Sequence, residues 1–175
     1  AVRRIMVRAM DSRWCYYSTM RPLWNEPRPA LAAQSWEGNG FVVTRNKAVA
    51  AVEGVPCCFT RLLGDEHAIH KDAYYIPLLI REVAVPPAAN ISKGARAYLS
   101  RLGFATPLDE VQAAILIWMH TLAIGYSPTY MRENTNAGRQ DWPRIPLPDS
   151  KVQLERSAVF GTQLAVLLNT EEPVP

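Results

Sequence analysis

The sequence predicts an α+β fold in which a basic, β-rich amino-terminal half with loops and one short helix packs on a helical carboxyl-terminal half. Three observations lead there. Residues 1 to about 85 carry short apolar or alternating runs separated by turn residues, the pattern of strands. From Asn90 onward apolar residues recur at helical spacing behind Ser and Pro start signals. Between the two stands Pro86-Pro87, which fixes an extended backbone and marks a boundary, dividing one domain into lobes 1–89 and 90–175.

The expected strands are residues 4–9, 13–17, 40–44, 48–52, 56–62 and 73–79. Pro29-Ala30-Leu31-Ala32-Ala33-Gln34 combines a first-turn proline with good helix formers and predicts a short helix among them. In the second half, Ser92 caps a helix carrying Ala95, Tyr98, Leu99 and Leu102, and Gly103 sits where a left-handed residue ends it. Thr106-Pro107-Leu108-Asp109-Glu110 places a capping hydroxyl, a first-turn proline and two acids before the run from Val111 to Ile124. That run is apolar around most of its circumference, so the helix is expected to be central and buried. Ser127-Pro128 opens a third helix to about Asn134, and Asp149-Ser150 a fourth that ends near Leu168. Trp142-Pro143-Arg144-Ile145-Pro146-Leu147-Pro148 is too proline-rich for helix or inner strand, and its apolar residues favour an ordered extended crossing.

The chain has 175 residues, of which 49% are hydrophobic, enough to bury a core without disulfides or metal. No apolar run approaches the roughly 18 to 20 residues of a membrane span, and the Arg-rich start lacks the apolar stretch of a signal peptide, so a soluble, cytoplasmic protein without membrane contact is expected. The chain begins at Ala1 rather than Met and enters directly into Val2-Arg3-Arg4-Ile5-Met6-Val7, which suggests a fragment of a larger polypeptide. Cys15, Cys57 and Cys58 are an odd number, with a vicinal pair poorly placed to bridge, and read as reduced thiols. Charge is uneven: residues 1–96 hold 13 Lys+Arg against 8 Asp+Glu, and residues 97–175 hold 6 against 8. The positive field belongs to the first half.

Motifs in the last third identify a relationship. His120-Thr121-Leu122-Ala123-Ile124-Gly125-Tyr126-Ser127, then Pro128-Thr129-Tyr130-Met131-Arg132, then Asp141-Trp142-Pro143-Arg144-Ile145-Pro146-Leu147-Pro148 and an amphipathic helix follow one another in that order. This resembles the carboxyl-terminal specificity region of type ISP and related type IIG restriction-modification enzymes, where "YAVLHSPxYRxxY" precedes "DFPRIPLP". Asn90-Ile91-Ser92 resembles that family's "NLS" helix start, and Asp11-Ser12-Arg13-Trp14-Cys15-Tyr16-Tyr17 its "PFDxRWxYY" strand, so the resemblance spans almost the whole chain. Ala9-Met10 replaces the usual Pro-Phe, and residues 134–140 depart from the usual approach to "DFPRIP".

The resemblance implies a target recognition domain that grips double-stranded DNA and works beside an upstream adenine methyltransferase domain of the same polypeptide. It implies that S-adenosylmethionine and magnesium are used upstream, by the methyltransferase and nuclease parts. The chain has no Asn-Pro-Pro-Tyr motif, no P-loop and no cofactor fingerprint, so this fragment is expected to be noncatalytic, with no cofactor of its own.

DNA recognition needs cations for phosphates and bidentate donors for base edges, and the planar fork of Arg supplies both. Arg13, Arg21, Arg28, Arg45, Lys47, Arg61 and Lys71 fall in or beside loops and strand ends of the basic half and are the expected DNA-binding residues. Arg144, between prolines, is read as locking the crossing segment to a carboxylate. Trp14, Tyr16 and Tyr17 read as core packing on a half-buried strand, whereas Trp24 and Trp36 are freer to make contacts.

Two other readings compete. A small metal-dependent hydrolase or nuclease would use Asp65, Glu66, His67 and His70. Zinc on Cys57, Cys58, His67 and His70 is disfavoured, because adjacent cysteines do not chelate as a C-x2-C knuckle does. A protein docking module would instead bind a partner through the apolar helix at Val111 to Ile124.

Overall fold

A computed structural model of the chain describes residues 1–20, 27–46, 54–69, 72–104, 107–137 and 140–173. Its strands precede residue 90 and its longer helices follow it. The β half comprises β1 (Val2–Arg8), β2 (Asp11–Tyr16), the short helix α1 (Pro29–Ala32), β3 (Phe41–Thr44), β4 (Cys57–Thr60), β5 (Tyr74–Pro77), β6 (Leu79–Ile80) and β7 (Ala88–Ala89). The helical half comprises α2 (Lys93–Arg101), α3 (Pro107–Gly125), α4 (Pro128–Asn134) and α5 (Lys151–Leu168).

The α+β expectation holds, and the elements fall close to their expected bounds. The strand expected at 48–52 lies outside the described residues. One strand break and one pairing were not legible in the sequence. The run 73–79 breaks at Leu78 into β5 and β6, and β6 pairs antiparallel with β7, immediately after the two prolines. Strands of two residues are too short to show a period.

β3 is central in a three-stranded antiparallel sheet, with β4 on one side and β5 on the other. All four of its residues are buried, and alternation sends them to two cores. Val42 joins Cys57 and Phe59 in a core completed by Met119, Leu122, Ala158 and Ala165 of α3 and α5. Phe41 and Val43 face the other way, with Cys58, Tyr75, Ala68, Ala73 and Met6. The vicinal cysteines therefore point to opposite faces of the sheet. Burial pushes both thiols up to about 12, which keeps them protonated.

Serine hydroxyls start three of the helices. Ser92 accepts from the backbone N–H of Ala95, Ser127 from Tyr130 and Ser150 from Gln153. Gly103, at φ +88°, follows α2 as the sequence predicts. From Glu110 to Gly125 the residues of α3 are buried or half-buried except Gln112, and the helix packs against α2, α4, α5, β4 and β7. At its crossing with α5 the backbones meet at Gly161, where an added Cβ would lie 1.8 Å from the carbonyl oxygen of Met119.

Residues 142–148 form neither helix nor strand, yet they are held at alternate carbonyls. Tyr130 Oη donates to Arg144 O at 3.2 Å, His120 Nε2 to Pro146 O at 2.8 Å and Tyr98 Oη to Pro148 O at 2.8 Å. Prolines at 143, 146 and 148 remove N–H donors that would otherwise need partners, and three helices supply donors to the carbonyls that remain. The crossing is ordered, as expected. Among the described residues, no helix is long and apolar enough to cross a membrane.

Candidate nucleic-acid interface

Cations that are to meet phosphate need exposure and a rigid support. β1 and β2 form a two-stranded antiparallel ribbon closed by Ala9-Met10, with Met10 at φ +63° and a register shift between Met6 and Arg8. One edge is tied to the body. The N–H of Met6 donates to Leu63 O, that of Asp65 to Met6 O and that of Ala9 to Ala68 O. Met6 is buried, and Tyr17 at the ribbon's base packs with Ala32 and Leu63.

Arg13 lies on β2 with its side chain 69% exposed, paired with Asp11 at 2.9 Å. Arg61, just after β4, pairs with Glu172 at 2.9 Å. Arg28, at the start of α1, stands 4.0 Å from Glu66. The neighbouring His67 gives its carbonyl to Arg8 of the ribbon. Arg45 departs from the expectation of a groove-facing cation: it is only 7% exposed, at the end of the fully buried β3. A strand terminus predicts a loop but not the direction of the side chain that leaves it. Arg21, Lys47 and Lys71, with Trp24, lie outside the described residues.

The structure adds Arg3, Arg4 and Arg8 of β1. Arg4 is the most tightly held, donating to both carboxylate oxygens of Glu171 and to Ser12. Adjacent carboxylates of the tail thus pair with Arg4 and with Arg61. Arg4's hydrogen bond holds the Glu171 carboxyl below its ordinary range, against an upward push from burial. A signal for the ribbon was present in the sequence: residues 1–17 hold four arginines and one aspartate, a net of +3, equal to the net charge of the entire chain.

Trp14 and Tyr16 are corrections. They are 69% and 62% exposed, while Tyr17 alone of the three is buried. Alternation on a strand shows that two faces differ but not which is inward or how far a face is covered: Met6 is buried, while Trp14 on the same face of the ribbon is exposed. Arg4 lies over the Trp14 ring, 5.5 Å from its centroid, and Arg3 over Tyr17 at 5.2 Å. Trp36 packs against the core, with Arg81 over its ring at 4.8 Å. Arg144 does bind a carboxylate, Asp141 at 2.8 Å, although its side chain is 83% exposed.

The acidic turn is built from its own hydrogen bonds. Asp65 accepts from the backbone N–H of His67 at 2.8 Å and lies 2.9 Å from its Nδ1. His70 lies outside the described residues, and among those described no His, Cys, Asp or Glu cluster could hold a metal ion. The helix expected to serve a docking module, α3, has its apolar surface taken up by the fold. The exposed apolar stripe is on α5 instead, at Val152, Val159, Phe160, Val166 and Leu167.

Comparison with known proteins places this arrangement. No curated protein matches the chain. A cryo-EM structure of a DrdV–DNA complex is similar to it with a TM-score of 0.74 and 18% identity, over 96% of this chain and 16% of that one. A nuclease-deletion mutant of the Type ISP restriction-modification enzyme LlaGI, in complex with a DNA substrate mimic, is similar with a TM-score of 0.63 and 18% identity, over 99% of this chain and 14% of that one. The chain thus spans about a sixth or less of the length of either neighbour. The Type ISP C-terminal specificity domain model matches residues 1–175, and the chain belongs to that family.

Proposed function

We propose that this chain reads a short sequence in double-stranded DNA and so directs adenine methylation and cleavage carried out elsewhere in a longer restriction-modification polypeptide. The observation that carries this reading is the match of a specificity-domain family from the first residue to the last. The fold likeness to two chains described in complex with DNA supports it. The chain itself is noncatalytic in this reading. S-adenosylmethionine and magnesium serve the methyltransferase and nuclease parts outside it.

Arg13, Arg28 and Arg61 are assigned to the DNA, with Arg21, Lys47 and Lys71. Their carboxylate partners do not stand in the way. Exposed ion pairs contribute roughly 0 to 1 kcal/mol, so a phosphate replaces a carboxylate at little cost. Arg45, buried at the end of β3, is assigned to holding the sheet. The upstream methyltransferase domain is the partner proposed for the helical half, and the exposed stripe on α5 supports its docking there.

Selection from a random duplex pool tests the reading. Repeated capture by the chain is expected to enrich one short motif. A pool that stays random after many rounds, while binding persists, would leave the chain a nonspecific DNA binder and overturn the proposal.

A further inference from the structure

We infer that the β1–β2 ribbon is the element that enters a groove of the duplex, with Arg3, Arg8 and Arg13 meeting phosphates and the exposed rings of Trp14 and Tyr16 lying on the groove wall. This rests on the DNA-recognition reading above and names the surface that performs it.

Charge is the first support. The ribbon's net +3 equals that of the whole chain, so residues 18–175 sum to zero, and the pairing of Arg4 with Glu171 still leaves the ribbon an excess of two positive charges for a polyanion. Shape is the second. Two paired strands stand about 4.8 Å apart, and six or seven residues extend roughly 20 Å. The major groove, about 12 Å wide, admits such a ribbon. Rigidity is the third. The β1 edge is bonded to residues 63–68, Met6 and Tyr17 are buried, and β2 is the outer strand of its two-stranded sheet, so the ribbon is anchored along one edge and presents the other.

The aromatic rings complete the arrangement. Register places Val2 opposite Tyr16 and Arg4 opposite Trp14, so both exposed rings share a face with Arg4, while Arg3 and Arg13 stand on the other face of the ribbon, turned to the opposite wall when its β2 edge leads. A flat apolar ring beside a cation suits the sugar edges and thymine methyls between two phosphate rows. A protein partner of ordinary composition would instead favour a patch depleted of charge at its centre. Four arginines on the ribbon argue against that occupant.

The test is the salt dependence of binding to a labelled mixed-sequence duplex of about two helical turns, from roughly 50 to 200 mM salt. Each phosphate contact contributes about 0.9 to the logarithmic slope, so the triple variant Arg3→Ala, Arg8→Ala, Arg13→Ala is expected to flatten it by about 2 to 3. Trp14→Ala is expected to weaken binding about threefold to tenfold with the slope unchanged. The pair Arg101→Ala, Arg132→Ala, on α2 and α4, serves as the control and should leave the slope as it is. Near-native circular dichroism is required of every variant, and the single change Arg13→Glu replaces the triple if that one unfolds.

Ribbon variants that bind with the parent slope would overturn the inference while leaving DNA recognition standing. Loss of binding in Trp14→Ala together with an unaltered slope in the triple variant would point to a protein-type surface, and also overturns it. A parent chain with no salt-dependent binding at all would sink the recognition reading itself.

Discussion

His120, buried in the middle of α3, joins that helix to the proline-rich crossing: its Nε2 lies 2.8 Å from the carbonyl oxygen of Pro146. A carbonyl only accepts, so Nε2 carries the proton. Nδ1, 2.8 Å from Ser157 Oγ, links the same ring to α5. One imidazole therefore ties α3 to two segments 26 and 37 residues further along the chain.

Replacing His120 by Phe preserves a ring but leaves Pro146 O and Ser157 Oγ without that partner. The expected cost is about 1 to 3 kcal/mol, read as a lowered urea midpoint at unchanged slope. Tyr98→Phe, which removes one bond to Pro148 O, is expected to cost about 0.5 to 1.5 kcal/mol. Parent-like midpoints for both variants would mean that the crossing is held by its apolar contacts alone.

Thiol reactivity follows from the two-faced sheet. Cys57 and Cys58, each pushed up to about 12, have roughly one thiolate in ten thousand molecules at pH 8. Cys15, on the ribbon, is only partly buried. Iodoacetamide at pH 8 is expected to alkylate Cys15 in the native chain and all three cysteines in urea, as mass spectrometry would resolve. Rapid native labelling of Cys58 would contradict the burial of β4.

The tail contact has a pH signature. The Glu171 carboxyl ordinarily titrates at 4.5 and is depressed in the folded chain, chiefly by the hydrogen bond from Arg4. Its contribution is therefore complete above that ordinary value and is lost as pH falls through the lower folded one. A carboxyl-carbon NMR titration is expected to show a midpoint below 4.5 that moves up in Arg4→Ala. An unchanged midpoint in that variant would mean the pair does not persist in solution.

What the sequence revealed, and what it hid, divides along local and long-range physics. Ser92, Ser127 and Ser150 announced their helices because a cap is a bond across three residues. Pro143, Pro146 and Pro148 announced an extended crossing because each fixes its own backbone. That Tyr98, His120 and Tyr130 would feed the crossing's carbonyls was hidden, since those bonds span 14 to 50 residues. Among the cations, Arg13 is exposed and paired two residues away, a local fact, whereas Arg61 meets Glu172 across 111 residues. Arg45 and Trp14 exchanged expected roles, one buried and one exposed, because strand alternation carries no sign until a neighbouring layer supplies it.

Transplanting residues 1–175 into a related restriction-modification polypeptide, in place of its own specificity domain, tests most directly whether this chain selects the DNA sequence. The readout is the adenine-methylated motif in the genome of a host expressing the hybrid. If the chain sets the target, the motif changes from the recipient's to a new one and disappears when the ribbon arginines are removed. A hybrid that still methylates the recipient's own motif would contradict it.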